Sequence, residues 1–322
     1  MNPRLQVAGL TTEFATRAGI LRAVNDVSLE LMPGEIVGLV GESGSGKSVT
    51  GLSLLGLIDP PGRIVAGSVK LDGEDIGGLS PTAIRPYRGK RIAMIFQDPM
   101  STLNPVLTIG RQMALAIRAH GLVSRAEIEV RSIAALQRVG IPAPEQRLKT
   151  YPHELSGGMR QRVAIAVAFI NQPSVVICDE PTTALDVSIQ AQILVEMRTL
   201  ARETGVSLIW ISHDLATVSM LASRIMVMYA GRIIEEGPAA VLLSNPRHPY
   251  TRGLIDSLPA SAKPGQDLTP IPGTTPSLID LPKGCAFENR CRFASASCSA
   301  SPERSVEADR AYRCHNPLGI IA

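Results

Sequence analysis

The run Gly41-Glu42-Ser43-Gly44-Ser45-Gly46-Lys47-Ser48 puts glycines, a lysine and a hydroxyl at the spacing G-x-x-x-x-G-K-S, between an apolar stretch over residues 36–40 and a helical pattern. Each part has a physical use. Glycines let successive backbone N–H groups converge on phosphate oxygens, and the helix start adds partial positive charge. Lys47 can reach the β- and γ-phosphates, and the Ser48 hydroxyl is a ligand for Mg2+. Gly41, Ser43, Gly44, Ser45, Gly46, Lys47 and Ser48 are therefore candidates for holding the phosphates of a nucleotide.

Downstream, Val175-Val176-Ile177-Cys178-Asp179-Glu180 is an apolar strand pattern ending in two acids. In a parallel sheet the carboxyl end of such a strand lies beside the phosphate loop. Asp179 can then hold Mg2+, directly or through water, while Glu180 polarises the attacking water. Alone, an acid pair at a strand end is more often a cap or a turn. Together with Lys47 and Ser48 it reads as a hydrolytic pair.

These groups need a scaffold. Over the first 240 residues, short β-branched runs alternate with helical patterns, which predicts a parallel sheet flanked by helices. Residues 36–40, 92–96, 175–178, 207–211 and 224–229 read as its strands, and 5–14, 24–31 and 68–71 as an antiparallel lobe. The pattern turns helical over 109–119 and 125–139, an inserted subdomain. Six prolines between residues 258 and 284 resist both helix and central strand, so that stretch reads as a linker or extended arm. The expected domains are residues 1–240, with a helical subdomain over about 99–165, and an extension over 241–322.

Composition narrows the function classes. The 322 residues are 45% hydrophobic and 19% charged, ordinary for a globular protein, but only 3% aromatic, so the core is expected to be aliphatic. A net charge of +3 is too weak a bias to argue for a nucleic-acid partner. Neither a secretory signal nor an 18-residue apolar span is expected, which predicts a cytoplasmic protein.

Leu155-Ser156-Gly157-Gly158-Met159-Arg160-Gln161-Arg162 resembles the signature sequence of ATP-binding cassette (ABC) proteins. Read from its residues, Ser156 is an N-cap, and Gly157 and Gly158 leave bare backbone at the start of a helix running to Ile170. The resemblance implies that this motif closes over ATP held by the phosphate loop of a second cassette. Gln97 looks like the family's glutamine that senses Mg2+ and the attacking water; Ala184-Leu185-Asp186 resembles the loop that communicates across the dimer; His213 resembles the switch histidine at the γ-phosphate. Phe14 stands where the family stacks an aromatic ring on adenine, and a core phenylalanine is the other reading. The resemblance covers about residues 4–240. It implies an α/β ABC-type P-loop core, an antiparallel β lobe, an α-helical lobe and ATP hydrolysis by a dimer.

One branch fits better than others. Met94-Ile95-Phe96-Gln97-Asp98-Pro99-Met100 with Leu103-Asn104-Pro105, Glu180-Pro181-Thr182-Thr183-Ala184-Leu185-Asp186-Val187, and Arg247-His248-Pro249-Tyr250-Thr251 followed by a cysteine tail resemble the ATPase subunits of dipeptide and oligopeptide importers. Members of this branch also import nickel, glutathione or other small solutes. The partners implied are a second, related cassette in preference to an identical one, two membrane permease subunits and, indirectly, a periplasmic or extracellular solute-binding protein, with the chain peripheral on the cytoplasmic face of the inner membrane. A soluble ABC ATPase of translation or DNA repair is the competing class. Two cassettes per chain or a long coiled-coil insertion would mark it, and neither is in the sequence.

Cys285, Cys291, Cys298 and Cys314 lie within the last 38 residues. In a reducing compartment a disulfide framework is not expected. The tight C-x2–4-C pairs of structural zinc are missing, and spaced thiolates can also wrap an iron–sulfur cluster. The branch resemblance implies a 4Fe-4S cluster; zinc, with His315 as a substitute ligand, and unligated thiols are the other readings. The tail's role is expected to be structural and independent of basal ATP hydrolysis.

Overall fold

The computed structural model describes residues 2–183, 185–259 and 269–319; Ala184 of the expected dimer-communication loop and residues 260–268 of the Pro-rich stretch lie outside them. In chain order the elements are β1 (Leu5–Thr16), β2 (Gly19–Leu31), β3 (Ile36–Val40), α1 (Lys47–Leu54), β4 (Gly62–Leu71), β5 (Glu74–Asp75), β6 (Ile92–Ile95), α2 (Pro99–Thr102), α3 (Ile109–Arg118), α4 (Arg125–Arg138), α5 (Pro144–Arg147), α6 (Gly157–Phe169), β7 (Val175–Asp179), α7 (Val187–Thr204), β8 (Ser207–Ser212), α8 (Leu215–Leu221), β9 (Arg224–Tyr229), β10 (Arg232–Pro238), α9 (Ala239–Ser244), α10 (Pro249–Asp256), β11 (Ser305–Glu307) and β12 (Arg310–Tyr312). They form two compact units, one from Met32–Glu35 and Leu79–Ile209, the other from Asn2–Leu31, Ile36–Gly78 and the chain from Trp210 onward.

In the first unit β6 and β7 pair in parallel, Ile92 opposite Val175 through Ile95 opposite Cys178. Every residue of β7 is buried, as its unbroken apolar run requires. The helical part is built on α3, α4 and α6, which pack on one another. Helix α3 buries Ile109, Met113 and Ile117, one residue per turn, and α4 buries Ile128 and Leu136. Both have polar caps: Thr108 Oγ1 accepts from Arg111 N, and Ser124 Oγ accepts from Glu127 N.

The second unit holds the antiparallel sheet β2-β1-β4-β5, in which β1 pairs with both β2 and β4. Its alternating residues Leu5, Val7, Leu10, Val27, Leu29 and Leu31 are buried. Strand β3 pairs in parallel with β9, and β9 pairs antiparallel with β10. Strand β10 then pairs with β12, Glu235 opposite Tyr312, and β12 with β11. The tail is therefore more than an arm carrying thiols: its two short strands cover what would be the open edge of β10.

The joint between β10 and the tail is polar and buried. Glu235 is 1% exposed, and its carboxylate accepts from the backbone N–H groups of Arg247, at 2.6 Å, and His248, at 2.9 Å. His248 in turn caps α10: its Nδ1 accepts from Tyr250 N at 3.0 Å, and Pro249 takes the first helical position. Arg247 donates to both Glu307 carboxylate oxygens, at 2.9 and 2.6 Å, tying this corner to β11.

Candidate functional site

Strand β3 runs straight into the phosphate loop, and α1 starts at Lys47. Two glycines are required by geometry rather than by flexibility. Gly46 caps α1 at a φ of +105°, and a Cβ there would sit 2.2 Å from the Ala23 carbonyl oxygen; a Cβ at Gly41 would sit 2.2 Å from the Met228 carbonyl oxygen. Lys47 is buried, and its ammonium donates to the carbonyl oxygens of Gly41, at 2.8 Å, and Glu42, at 2.9 Å. The cation is thus folded back over its own loop. Ser45 is buried, Ser48 half-buried, and Ser43 and Gly44 are open to solvent.

At the end of β7, Asp179 is buried and Glu180 half-buried. Glu180 has a φ of +45°, a left-handed backbone conformation that costs a non-glycine residue about 1–3 kcal/mol. That turn takes its carboxylate out of the strand. Glu180 Oε2 accepts from Gln97 Nε2 at 3.3 Å and from Thr183 Oγ1 at 3.0 Å. Two candidate residues that lie 83 positions apart thus share one carboxylate oxygen. Thr183 is a contact that the sequence reading missed.

Ser156 is the N-cap of α6, its Oγ accepting from Met159 N at 3.3 Å, and Ser156 and Gly157 are exposed. Asp186 is the exposed N-cap residue of α7, although its side chain makes no cap hydrogen bond. His213 is exposed just beyond β8. Phe14 is half-buried near the end of β1, and Gly62 leaves room for it, since a Cβ there would lie 2.5 Å from the ring. The phosphate loop, Phe14 and His213 belong to the second unit; Gln97, Asp179, Glu180, Ser156, Gly157, Gly158 and Asp186 belong to the first.

None of the four tail cysteines forms a disulfide. Burial is the main cause raising the thiols of Cys285, Cys291 and Cys314, the last to about 12, and each also feels the charge of at least one other tail cysteine. As arranged, no three His, Cys, Asp or Glu side chains among the described residues form a metal-holding group. His315 Nε2 instead sits 3.0 Å from the Ala300 carbonyl oxygen. Also missed from sequence was the link from this tail to the phosphate loop through Arg290 and Tyr250, whose only sequence trace is the acid Glu42 inside a loop built for anions.

Comparison with known proteins matches these features. Residues 24–183 match the family described as ABC transporter, and residues 234–298 the family described as Oligopeptide/dipeptide transporter, C-terminal region. A peptide import ATP-binding protein of Brucella melitensis is 48% identical over 97% of this chain and 96% of its own length. This chain belongs to the ABC transporter family. Another relative, a peptide import ATP-binding protein of Brucella abortus, is 49% identical over 97% of this chain and 94% of its own length. Among solved structures, the ATP-binding cassette MJ0796, a dimer in a post-hydrolysis state with ADP and Pi, aligns with a TM-score of 0.65 at 29% identity, covering 73% of this chain and 98% of that one. The cassette cbiO1 from Clostridium perfringens, part of the transporter complex cbiONQ, aligns with a TM-score of 0.64 at 27% identity, covering 76% and 92%. The α/β fold is that of an ABC cassette with an antiparallel sheet and a helical subdomain, and the activity is ATP hydrolysis coupled to transport, with ATP and Mg2+ as the family's requirements. Among the described residues no helix is long and apolar enough to cross a membrane.

Proposed function

We propose that this chain is the ATP-hydrolysing subunit of a peptide importer, peripheral on the cytoplasmic face of the membrane, paired with a related cassette and docked on two permease subunits. The observation that carries the peptide reading is the second family match, over residues 234–298, which lies outside the general cassette and belongs to oligopeptide and dipeptide transporters. A solute-binding protein delivers the cargo on the far side.

Within the cassette, the loop from Gly41 to Ser48 binds the ATP phosphates through backbone N–H groups and Lys47. Ser48 and Asp179 offer hard oxygen donors of the kind Mg2+ takes, and a bound Mg2+ supplies neutralisation of phosphate charge. Glu180, held by Gln97 and Thr183, accepts the proton of the attacking water. His213 stabilises the γ-phosphate, Phe14 stacks on adenine, and Ser156, Gly157 and Gly158 close over ATP held by the partner cassette, with Asp186 reporting across the dimer. The four tail thiols favour a cluster that the loops carrying them would have to close around. Zinc is the alternative occupant.

The test is purification in mild detergent with every co-purifying chain identified, followed by ATPase assays of the complex in vesicles. Peptide-loaded binding protein should stimulate hydrolysis above the basal rate. Stimulation by nucleic acid, with no permease bound, would overturn the reading.

A further inference from the structure

Glu42 is an anomaly in its setting. It is the second residue of a loop that must hold a polyphosphate, and an unpaired carboxylate there would oppose the ligand. The tail removes that conflict. Arg290 donates from both terminal nitrogens to the Glu42 carboxylate, at 2.7 Å to Oε2 and 2.9 Å to Oε1, and Thr275 Oγ1 adds a contact to Oε2 at 3.3 Å. This is the two-pronged geometry in which guanidinium and carboxylate bind best.

The backbone of the same residue is also held. Glu42 N donates to Tyr250 Oη at 2.9 Å, and the Glu42 carbonyl accepts from Lys47 Nζ at 2.9 Å. Arg290 is itself fixed: it is 7% exposed, its Nε donates to the Pro272 carbonyl at 2.8 Å, and its guanidinium lies 5.8 Å from the ring centres of both Tyr229 and Phe287. Tyr229, Tyr250 and Phe287 pack against one another at centroid distances of 4.6 to 5.4 Å. In a chain with so few aromatics, three of them are gathered behind this one pair.

We infer that Arg290 is a positioning residue for ATP binding: it cancels the charge of Glu42 and keeps that carboxylate from capturing Lys47, so that the loop presents its ammonium to phosphate. Without Arg290, the nearest strong cation to Glu42 on its own loop is Lys47, already bonded to the Glu42 carbonyl. The carboxylate would then compete with the γ-phosphate for the group that binds it. The tail, 248 residues away in sequence, becomes part of the nucleotide site.

This inference rests on the loop binding ATP, and a charge-swap cycle separates the two. Binding of a fluorescent ATP analogue to the full-length chain is measured for wild type, Lys47→Ala, Arg290→Gln, Glu42→Gln and the Arg290→Gln/Glu42→Gln double variant, with thermal melts as a check on folding. Arg290→Gln should weaken binding about tenfold, with the Michaelis constant for ATP rising more than turnover falls. The double variant, with no carboxylate left to capture Lys47, should recover to within about threefold of wild type. A purely structural tail predicts the reverse, a double variant at least as impaired as the single one, and that result overturns the inference, as does wild-type affinity in Arg290→Gln. If Arg290→Gln does not fold, Arg290→Lys takes its place in the same cycle and the rescue by Glu42→Gln is read there. Failure of wild type to bind ATP more tightly than Lys47→Ala would instead defeat the nucleotide reading itself.

Discussion

Gln97 Nε2 meets Glu180 Oε2 at 3.3 Å, so the residue that leads into the helical part and the acid that ends β7 share one hydrogen bond. Thr183 Oγ1 reaches the same oxygen at 3.0 Å, so two side chains hold one oxygen of the acid. Movement of Gln97 would therefore be felt at the base. On the role proposed for Glu180, that would give the helical part a means of tuning hydrolysis.

The first prediction concerns this carboxylate. Glu180→Gln keeps the shape and size of the side chain and removes the proton acceptor. ATP affinity should stay within about threefold, while turnover falls by at least about a hundredfold, the usual contribution of a general base. Phosphate release and nucleotide binding measured on the same preparation check it; hydrolysis at the wild-type rate would place the base elsewhere.

Much of this pair was legible in sequence, for a physical reason. An unbroken apolar run fixes a doubly buried strand, so Asp179 and Glu180 had to stand at its end, and the loop from Gly41 to Ser48 encodes its ligand within eight consecutive residues. The observed β3, over Ile36–Val40, and β9, over Arg224–Tyr229, have the expected bounds because they too are short apolar runs. Strand β10 escaped notice: Arg232-Ile-Ile-Glu-Glu-Gly-Pro carries charges, a glycine and a proline, and is held by pairing with β9 on one side and with β12, more than 70 residues downstream, on the other. The clamp on Glu42 was invisible for the same reason, since no local period links it to Arg290. The Arg290–Glu42 salt bridge links the tail to the phosphate loop, and whether basal hydrolysis is independent of the tail, as expected from sequence, is what the variants below read out.

The second prediction tests whether the start of α6 acts in trans. Gly157 is exposed, and among the described residues a Cβ there would meet only Leu185 Cδ2 at an ordinary 3.9 Å. Gly157→Asp should therefore fold normally, within about 0.5 kcal/mol of wild type. It should bind ATP as a monomer and fail to form the ATP-bound dimer, because its charge would face the partner's γ-phosphate. Light scattering with ATP in a Glu180→Gln background reads this out. Equal loss of binding in the monomer would sink the trans geometry.

The third prediction is a pH dependence. Burial pushes the His248 imidazole down to about 3 from an ordinary 6.5, and its Nδ1 must stay unprotonated to accept from Tyr250 N. Between those values the unfolded chain binds a proton that the folded chain does not, so stability falls as pH drops below about 6.5, by up to about 1.4 kcal/mol per pH unit. Burial raises the Glu235 carboxyl, which works with the opposite sign, favouring the folded state as pH falls through its folded value. His248→Asn keeps an N-cap acceptor without the titration. It should be less stable at pH 7.5 yet lose less between pH 7 and 5; parallel stability curves for the two proteins would refute the assignment.

The last prediction joins the tail thiols to the nucleotide site. Arg290 closes a tight turn in which Glu288 N bonds the Cys285 carbonyl at 3.0 Å and Cys291 N bonds the Glu288 carbonyl at 3.1 Å, so the residue that clamps Glu42 is seated between two of the four thiols. Cys285 N also bonds the Cys298 carbonyl at 2.8 Å, which brings in a third. Whatever orders these loops orders Arg290. Changing Cys285, Cys291, Cys298 and Cys314 to Ser together should lower the melting temperature and weaken ATP binding in the same direction as Arg290→Gln, while Glu180-dependent turnover at saturating ATP stays within about threefold. Iron, sulfide and zinc measured on anaerobically made parent and variant identify the occupant: iron and sulfide in the parent alone point to a cluster, stoichiometric zinc in the parent alone to zinc, and equal low levels in both to bare thiols held by burial. In each case the ATP affinity of the variant is the deciding number for the coupling, because wild-type affinity in a folded four-Ser protein would show that the turn holding Arg290 does not depend on its cysteines.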